Sequence, residues 1–252
     1  MKIIATIEAR LNSKRLPKKH LLKINKKNVI EILIDRLKKI KNINKIVLAT
    51  TTNQIDDQLI KIAKKNKIGF YRGSEENVLE RVTKAAKKYR ADAILQVSGD
   101  APLIDYELAE YAIDMFKLNK VEVFTNYWNS FPRGVCHPII KYSSLVKSLK
   151  YSRSMDDFEH VTHYIFNNQK NFKILYFLAP KEYFEPNLRF VLDEYDDYEY
   201  LKKILKYDQK NIFTTKKLID LCRRKKIKYV SKNRNLLIRN YLKSHKNKIK
   251  IT

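Results

Sequence analysis

A chain of 252 residues, 44% hydrophobic and 32% charged, is long enough to bury a sizeable core and ordinary for a soluble globular protein. Its formal net charge of +26 favours acidic partners such as nucleic acid, anionic membrane or phosphorylated metabolites, although the excess Lys accompanies abundant Ile, Asn and Tyr and only four Gly, as expected when codons drift toward A and T. No apolar run approaches the roughly 18 residues of a membrane span, no secretory signal pattern opens the chain, and Cys136 and Cys222 stand at no metal-ligand spacing, so the expected setting is a reducing cytoplasm, without a disulfide framework.

The first apolar run, Ile3 to Ile7, reads as a buried strand, and Val29 to Ile40 as an amphipathic helix. Between them the stretch Ile7 to Lys19 carries Arg10, Lys14, Arg15, Lys18 and Lys19 against the single acid Glu8. A loop joining a first strand to a first helix is where open α/β proteins hold nucleotide phosphates, and this one is chemically suited to a polyanion. Strand candidates at Lys45 to Ala49, Ile68 to Tyr71 and Ala93 to Val97 then alternate with helical patterns over Ile55 to Asn66 and Asn77 to Tyr89. Repeated β-α-β units predict an α/β fold: a mostly parallel open sheet with helices on both faces and ligands outside the carboxyl ends of its strands. Three polar clusters fall at those ends: the opening loop, Thr50 to Asp57, and Ser98 to Asp105.

In Ser98-Gly99-Asp100-Ala101-Pro102, Gly99 permits a tight exit from the strand and Asp100 stands at the rim. A carboxylate there suits a Mg²⁺ that also touches substrate phosphates; a plain turn residue is the alternative. Asp105 reads as a helix N-cap. Beyond Lys120 the alternation loosens, with strand candidates at Val121 to Thr125 and His137 to Lys141 and a turn over Phe131 to Gly134. Phe158 to Asn168 reads as a helix carrying Glu159, His160 and His163, and Phe172 to Leu178 as a half-exposed strand. The two histidines lack a nearby third ligand, so no zinc site is expected. Residues 130–180 are expected to leave the main sheet as an insertion, in the manner of a substrate lid or a subunit contact. Leu188 to Glu194 reads as a strand ending in acids, followed by a helix over Tyr198 to Lys206. A second carboxylate at that end would meet Asp100 across the crevice, completing the parts that bind a metal-nucleotide triphosphate. Residues 211–252 are expected to form a basic helical extension, either a solvated face or a tail for anionic surfaces.

The run Ala9-Arg10-Leu11-Asn12-Ser13-Lys14-Arg15-Leu16-Pro17-Lys18-Lys19 resembles the signature A-R-x-x-S-x-R-L-P-x-K of the cytidylyltransferases that make CMP-activated sugars. These are the CMP-sialate and CMP-Kdo synthetases and, most similar, their spore-coat-polysaccharide-biosynthesis branch. Further blocks resemble the family in its own order: Ala49-Thr50-Thr51-Thr52-Asn53 with Asp56-Asp57, Arg72-Gly73-Ser74-Glu75-Glu76-Asn77, the Ser98 to Asp105 run, Glu159-His160-Val161-Thr162, and Asp193-Glu194-Tyr195-Asp196-Asp197. Tyr241-Leu242-Lys243-Ser244 looks like the branch's C-terminal motif.

The resemblance implies a nucleotide-diphospho-sugar-transferase-like fold over residues 1–210. It also implies transfer of CMP from CTP to a sugar acid, nonulosonate or Kdo-like, with release of pyrophosphate, for surface polysaccharide synthesis. By the same resemblance, Ala9, Arg10, Ser13, Arg15 and Lys19 would hold the nucleotide, and Thr51, Arg72, Gly73 and Ser74 would line its cleft. Asp100 and Asp193 would hold Mg²⁺; Arg10, Lys19 and Asp100 would be catalytic; Arg133, Glu159 and His160 would meet the acceptor; and the protein would be a homodimer. The alternatives are transfer to a phosphate-bearing acceptor or from another nucleoside triphosphate, and a non-catalytic nucleic-acid-binding protein on the same scaffold. Against the last stand the retained acids and the lack of aromatic residues interleaved with the basic tail.

Three departures from the family pattern stand out. Lys18 and Lys26 occupy positions where the family has Gly, and Arg133-Gly134-Val135-Cys136 replaces an Asp-Gly-x-Asp. A glycine lost from a phosphate loop puts its backbone conformation in question. The lost acids imply a different acceptor, one with a negative group for Arg133.

Overall fold

Every side chain from Ile3 to Ile7 is buried, so strand β1 (Ile3–Glu8) has elements packed on both its faces, as an apolar run without alternation requires. The computed structural model describes residues 1–127 and 130–228 and places β1 within a seven-stranded sheet. The chain then forms a loop, a 3-10 turn over Lys19–Leu21, a hairpin of β2 (Lys23–Ile24) and β3 (Lys27–Asn28), and helix α1 (Val29–Leu37). Strand β4 (Lys45–Thr51), helix α2 (Asp57–Lys65), β5 (Gly69–Gly73), α3 (Val78–Lys88), β6 (Ala93–Ser98) and α4 (Tyr106–Asn119) follow as expected. The order β5-β4-β1-β6 is parallel throughout, so the carboxyl ends of these strands lie together on one rim. Asn77 and Asp105 start α3 and α4 by accepting the backbone N–H groups of Glu80 and of Glu107 and Leu108. Among the described residues no helix is long and apolar enough to cross a membrane.

The middle region does not leave the sheet. After β7 (Val123–Asn126), strand β8 (Ile139–Lys141) runs antiparallel between β6 and β7. Helices α5 (Tyr142–Tyr151), α6 (Met155–Glu159) and α7 (His163–Asn167) lead to β9 (Ile174–Phe177), which pairs parallel with β7 at the edge. Val123, Phe124, Ile139 and Ile140 are all buried, which a lid standing off the sheet would not achieve. The single helix expected over Phe158 to Asn168 is instead α6 and α7. Asp157 accepts the N–H groups of Arg153 and Ser154 and pairs with His163 Nδ1 at 2.7 Å, which folds the chain back between the two. Leu188 to Glu194 forms no strand: Arg189 makes one isolated bridge to Arg133, and the chain bends at Asp193 and Glu194. The N–H of Phe190 donates to Arg133 O at 2.8 Å and that of Leu192 to Asp100 O at 2.7 Å, so the segment is tied to the 133 turn and to the exit of β6. Helix α8 (Tyr195–Leu205) begins before Tyr198 because Glu194 and Asp197 form a capping box.

Nor is the chain beyond 210, as far as it is described, an appendage. Helix α9 (Thr215–Arg224) packs Leu218, Leu221 and Cys222 into the cluster that holds Phe190, Leu192 and Leu201. Residues 229–252, with the Tyr241-Leu242-Lys243-Ser244 block and the end of the basic run, lie outside the described residues.

At the lost glycines the backbone keeps the conformation that glycine favours. Lys18 has φ 54° and ψ 27°, in the left-handed region. Asn25 and Lys26, with φ 50° and 66°, form the two-residue turn between β2 and β3, which needs positive φ at both positions. Lysine is strained there, so Lys26→Gly is expected to stabilise the protein by about 0.5–1 kcal/mol. A shift of the urea midpoint at unchanged slope measures it, and an unchanged or lower midpoint contradicts it.

Candidate active site

The site is built where β1 and β6 end side by side. Gly99 N–H donates to Glu8 O at 2.8 Å, and a Cβ on Gly99 would lie 2.7 Å from that same oxygen, so only glycine permits the approach. One residue later Asp100 reaches the rim. Its carbonyl holds Leu192 N–H, which sets Asp193 beside it. From the opening loop, closed by Lys18 N–H on Leu11 O at 3.0 Å, the 3-10 turn delivers Lys19 between the two acids. Lys19 Nζ lies 2.8 Å from Asp100 Oδ2 and 3.1 Å from Asp193 Oδ1. Ser98 donates its hydroxyl to the other Asp100 oxygen at 2.6 Å. Asp193 also pairs with Arg15 at 3.1 Å and with Arg189. Burial alone would raise the Asp193 carboxyl, but Lys19, Arg189 and Arg15 hold it well below the usual carboxylate range. Asp197 fixes this arm by accepting the N–H groups of Asp193 and Glu194 at 2.7 and 2.9 Å and pairing with Arg189.

The expected nucleotide residues divide into two groups. Ala9, Arg10, Ser13, Arg15 and Lys19 share one loop, anchored by the buried Asp56, whose carboxylate accepts Leu11 N–H at 2.7 Å and both the N–H and the hydroxyl of Thr51. Ala9 is buried and Ser13 half-buried, while the Arg10 guanidinium reaches Glu75 O at 3.3 Å, the Glu75 carboxylate at 3.7 Å and Glu159 at 3.8 Å. The second group is engaged with neighbouring parts of the chain. Thr51 is buried against Asp56. Arg72 spends its guanidinium on Thr51 O, Asn53 O and Asp57, at 2.9, 2.9 and 2.6 Å, and so braces the turn after β4. Ser74 accepts Asn77 N–H at 3.0 Å, and a Cβ on Gly73 would meet Arg81 and Tyr71. Of the expected acceptor residues, Glu159 faces Arg10; His160 is exposed; and Arg133 is exposed, with its main chain paired to Leu188 and Phe190.

Several polar groups that no motif singled out lie beside the site. Glu8 takes a hydrogen bond from Gln96 at 2.6 Å and one from Thr6 at 3.2 Å; burial pushes its carboxyl up to about 8 against those bonds, so it is largely protonated at neutral pH. His20 meets Gly99 O through Nδ1 at 3.1 Å. Desolvation, with the Lys19 charge adding, drives it down to about 4; His137 is driven to about 4 by desolvation too. Both imidazoles are therefore neutral at pH 7. The signal for Glu8 is its phase: Thr6 and Glu8 share one face of an otherwise apolar strand, where a polar pair needs partners. For His20 the only signal was its place beside Lys19. Among the described residues no three His, Cys, Asp or Glu side chains come together as a metal-holding group.

A model of the cytidylyltransferase family matches residues 4–227 of this chain. The uncharacterised protein MJ1063 of Methanocaldococcus jannaschii is 33% identical over 236 residues, 92% of this chain and 96% of its own length. The spore coat polysaccharide biosynthesis protein SpsF of Bacillus subtilis is 30% identical over 207 residues, 80% of this chain and 85% of its own. The solved structure of a cytidylyltransferase from Leptospira borgpetersenii superposes with a TM-score of 0.87 at 32% identity, covering 92% of this chain and 98% of that one. The matched span contains the basic loop, Asp100 and Asp193 together, and the chain belongs to the cytidylyltransferase family of CTP-dependent nucleotidyltransferases.

Proposed function

We propose that the protein transfers CMP from CTP to a sugar acid, nonulosonate or Kdo-like, with release of pyrophosphate, and that Mg²⁺ is its metal. The observation that carries this reading is the convergence of Asp100 and Asp193 on one cation, Lys19 Nζ, beneath a loop of Arg10, Ser13 and Arg15. Two carboxylates and no third suit Mg²⁺, which usually takes one or two protein carboxylates and completes its shell with phosphate oxygens and water. When bound, the metal would polarise the α-phosphate and lower the pKa of the attacking hydroxyl. The chain's own work is positioning and charge. Ser13, Arg15 and Lys19 hold the β- and γ-phosphates. As the acceptor hydroxyl oxygen bonds to the α-phosphorus and its proton passes to solvent, the bond to the pyrophosphate oxygen breaks, and Lys19 with Arg10 meets the charge that develops there. Asp56, through Leu11, keeps the loop where this happens.

On the acceptor side, Glu159, His160 and Arg133 are the proposed contacts. A cytoplasmic homodimer, as the family resemblance implies, is part of the reading. Pyrophosphate release measured across the four nucleoside triphosphates, with sugar acids and sugar phosphates as acceptors, tests it. CTP with a sugar acid is the expected pair. Turnover only with a phosphate-bearing acceptor, or only with another nucleotide, overturns it.

A further inference from the structure

We propose that Lys19 is the resident cation of the Asp100–Asp193 pair in the free protein, so that free divalent metal is excluded and enters only with the triphosphate. The inference rests on the reading of these two acids as metal ligands. Lys19 is buried, with its ammonium 2.8 Å from Asp100 Oδ2 and 3.1 Å from Asp193 Oδ1. The remaining oxygens are engaged as well, Asp100 Oδ1 by the Ser98 hydroxyl at 2.6 Å and Asp193 Oδ2 by Arg189. Among the described residues, Lys19, Arg15 and Arg189 pair with Asp100, Asp193 and Asp197. A dication added to this cluster brings uncompensated charge into a poorly solvated place, and it must also displace the ammonium from two carboxylates.

A nucleoside triphosphate removes both obstacles. Its phosphates supply the missing negative charge, and they give Lys19 and Arg15 new acceptors. Lysine is a compact charge on a flexible stem, so the ammonium can swing to a phosphate without movement of the 3-10 turn that carries it. Asp100 Oδ2 and Asp193 Oδ1 are then released together, at the moment the metal arrives. Because binding free energies are reciprocal, metal and nucleotide each tighten the other by the same factor.

The test is Mn²⁺ binding to the full-length protein, followed by electron paramagnetic resonance with and without a CTP analogue carrying a methylene between its α- and β-phosphorus atoms, with Mn²⁺ held by the analogue alone as baseline. The expected result is Mn²⁺ binding about tenfold or more tighter in the presence of the analogue. In the absence of nucleotide, Lys19→Met is expected to tighten Mn²⁺ binding about tenfold; circular dichroism checks that the variant folds, and the unmodified protein tests the coupling without it. If the free protein binds Mn²⁺ as tightly as the nucleotide complex, or if folded Lys19→Met binds no better, Lys19 does not guard the site and the metal reading stands alone. If Asp100→Asn leaves nucleotide-dependent Mn²⁺ uptake unchanged, the metal reading itself is wrong and this inference falls with it.

Discussion

Asp100→Asn is expected to lower pyrophosphate release from CTP by about 100-fold or more while leaving the fold intact. The two consequences separate because Asp100 does two jobs with different atoms. Its carbonyl oxygen holds Leu192 N–H and so the whole Asp193 arm, and the substitution leaves that oxygen in place. Its carboxylate meets Lys19 and the Ser98 hydroxyl at the partly exposed rim; an amide keeps the shape but loses the charge that a metal and an ammonium both need. Initial rates at saturating CTP and Mg²⁺, beside a melting curve, measure the two effects. An unchanged rate removes Asp100 from the chemistry. Asp193→Asn is the less informative variant, since it strips Lys19, Arg15 and Arg189 of one shared partner and stability falls along with activity.

The half of the molecule that reads clearly in the sequence is the half where local pattern and final position coincide. β1, β4, β5 and β6 are apolar runs bounded by polar clusters, and their parallel order brings the opening loop and Asp100 to one rim, as β-α-β periodicity implies. The expectation fails where long-range pairing decides. Ile139 to Lys141 and Ile174 to Phe177 are short strands inserted beside β6 and β7 respectively, partners distant in sequence, so no local signal places them in the sheet. The Leu188 to Glu194 run has strand composition, yet it pairs with a turn and a strand exit because Gly134 lets Phe190 and Val191 pack against its bare Cα. A Cβ there would lie 2.7 Å from Val191 and 2.8 Å from Phe190 O. Within the site, the residue types were legible but their partners in the fold were not. Thr51, Arg72 and Ser74 sit in blocks that resemble nucleotide-binding motifs, and their side chains turn out to secure the loop and the start of α3. Only partners such as Asp56, Asn53 O and Asn77 N–H reveal this. Lys18 and Lys26 looked like defects, and they occupy left-handed backbone that lysine tolerates at a cost.

Arg36→Met lowers the free energy of unfolding by about 3–5 kcal/mol, the largest stability loss expected from any single substitution discussed. The Arg36 side chain is wholly buried. It donates to Ile104 O at 2.7 Å, to Asn211 Oδ1 at 2.9 Å and to Phe213 O, and it lies 3.6 Å from the equally buried Asp208 carboxylate. Methionine matches the stem but leaves those acceptors without a donor and the Asp208 charge uncompensated, although the N–H groups of Ile212 and Phe213 still reach it at 2.8 and 3.0 Å. Adding Asp208→Asn should therefore recover part of the loss, which a double-mutant cycle by urea denaturation resolves. A loss below about 1 kcal/mol would mean that this buried network contributes little. The result also decides where the catalytic domain ends. Arg36 clamps residues 208–213 onto α1, and α9 beyond them buries Leu218 and Leu221 in the cluster that holds Phe190 and Leu192, the residues that lead directly into Asp193. A chain cut after residue 210 is therefore expected to lose stability and the packing that supports Asp193 together, whereas Asp100→Asn is expected to lose activity alone; the contrast between the two separates the support of the site from its chemistry.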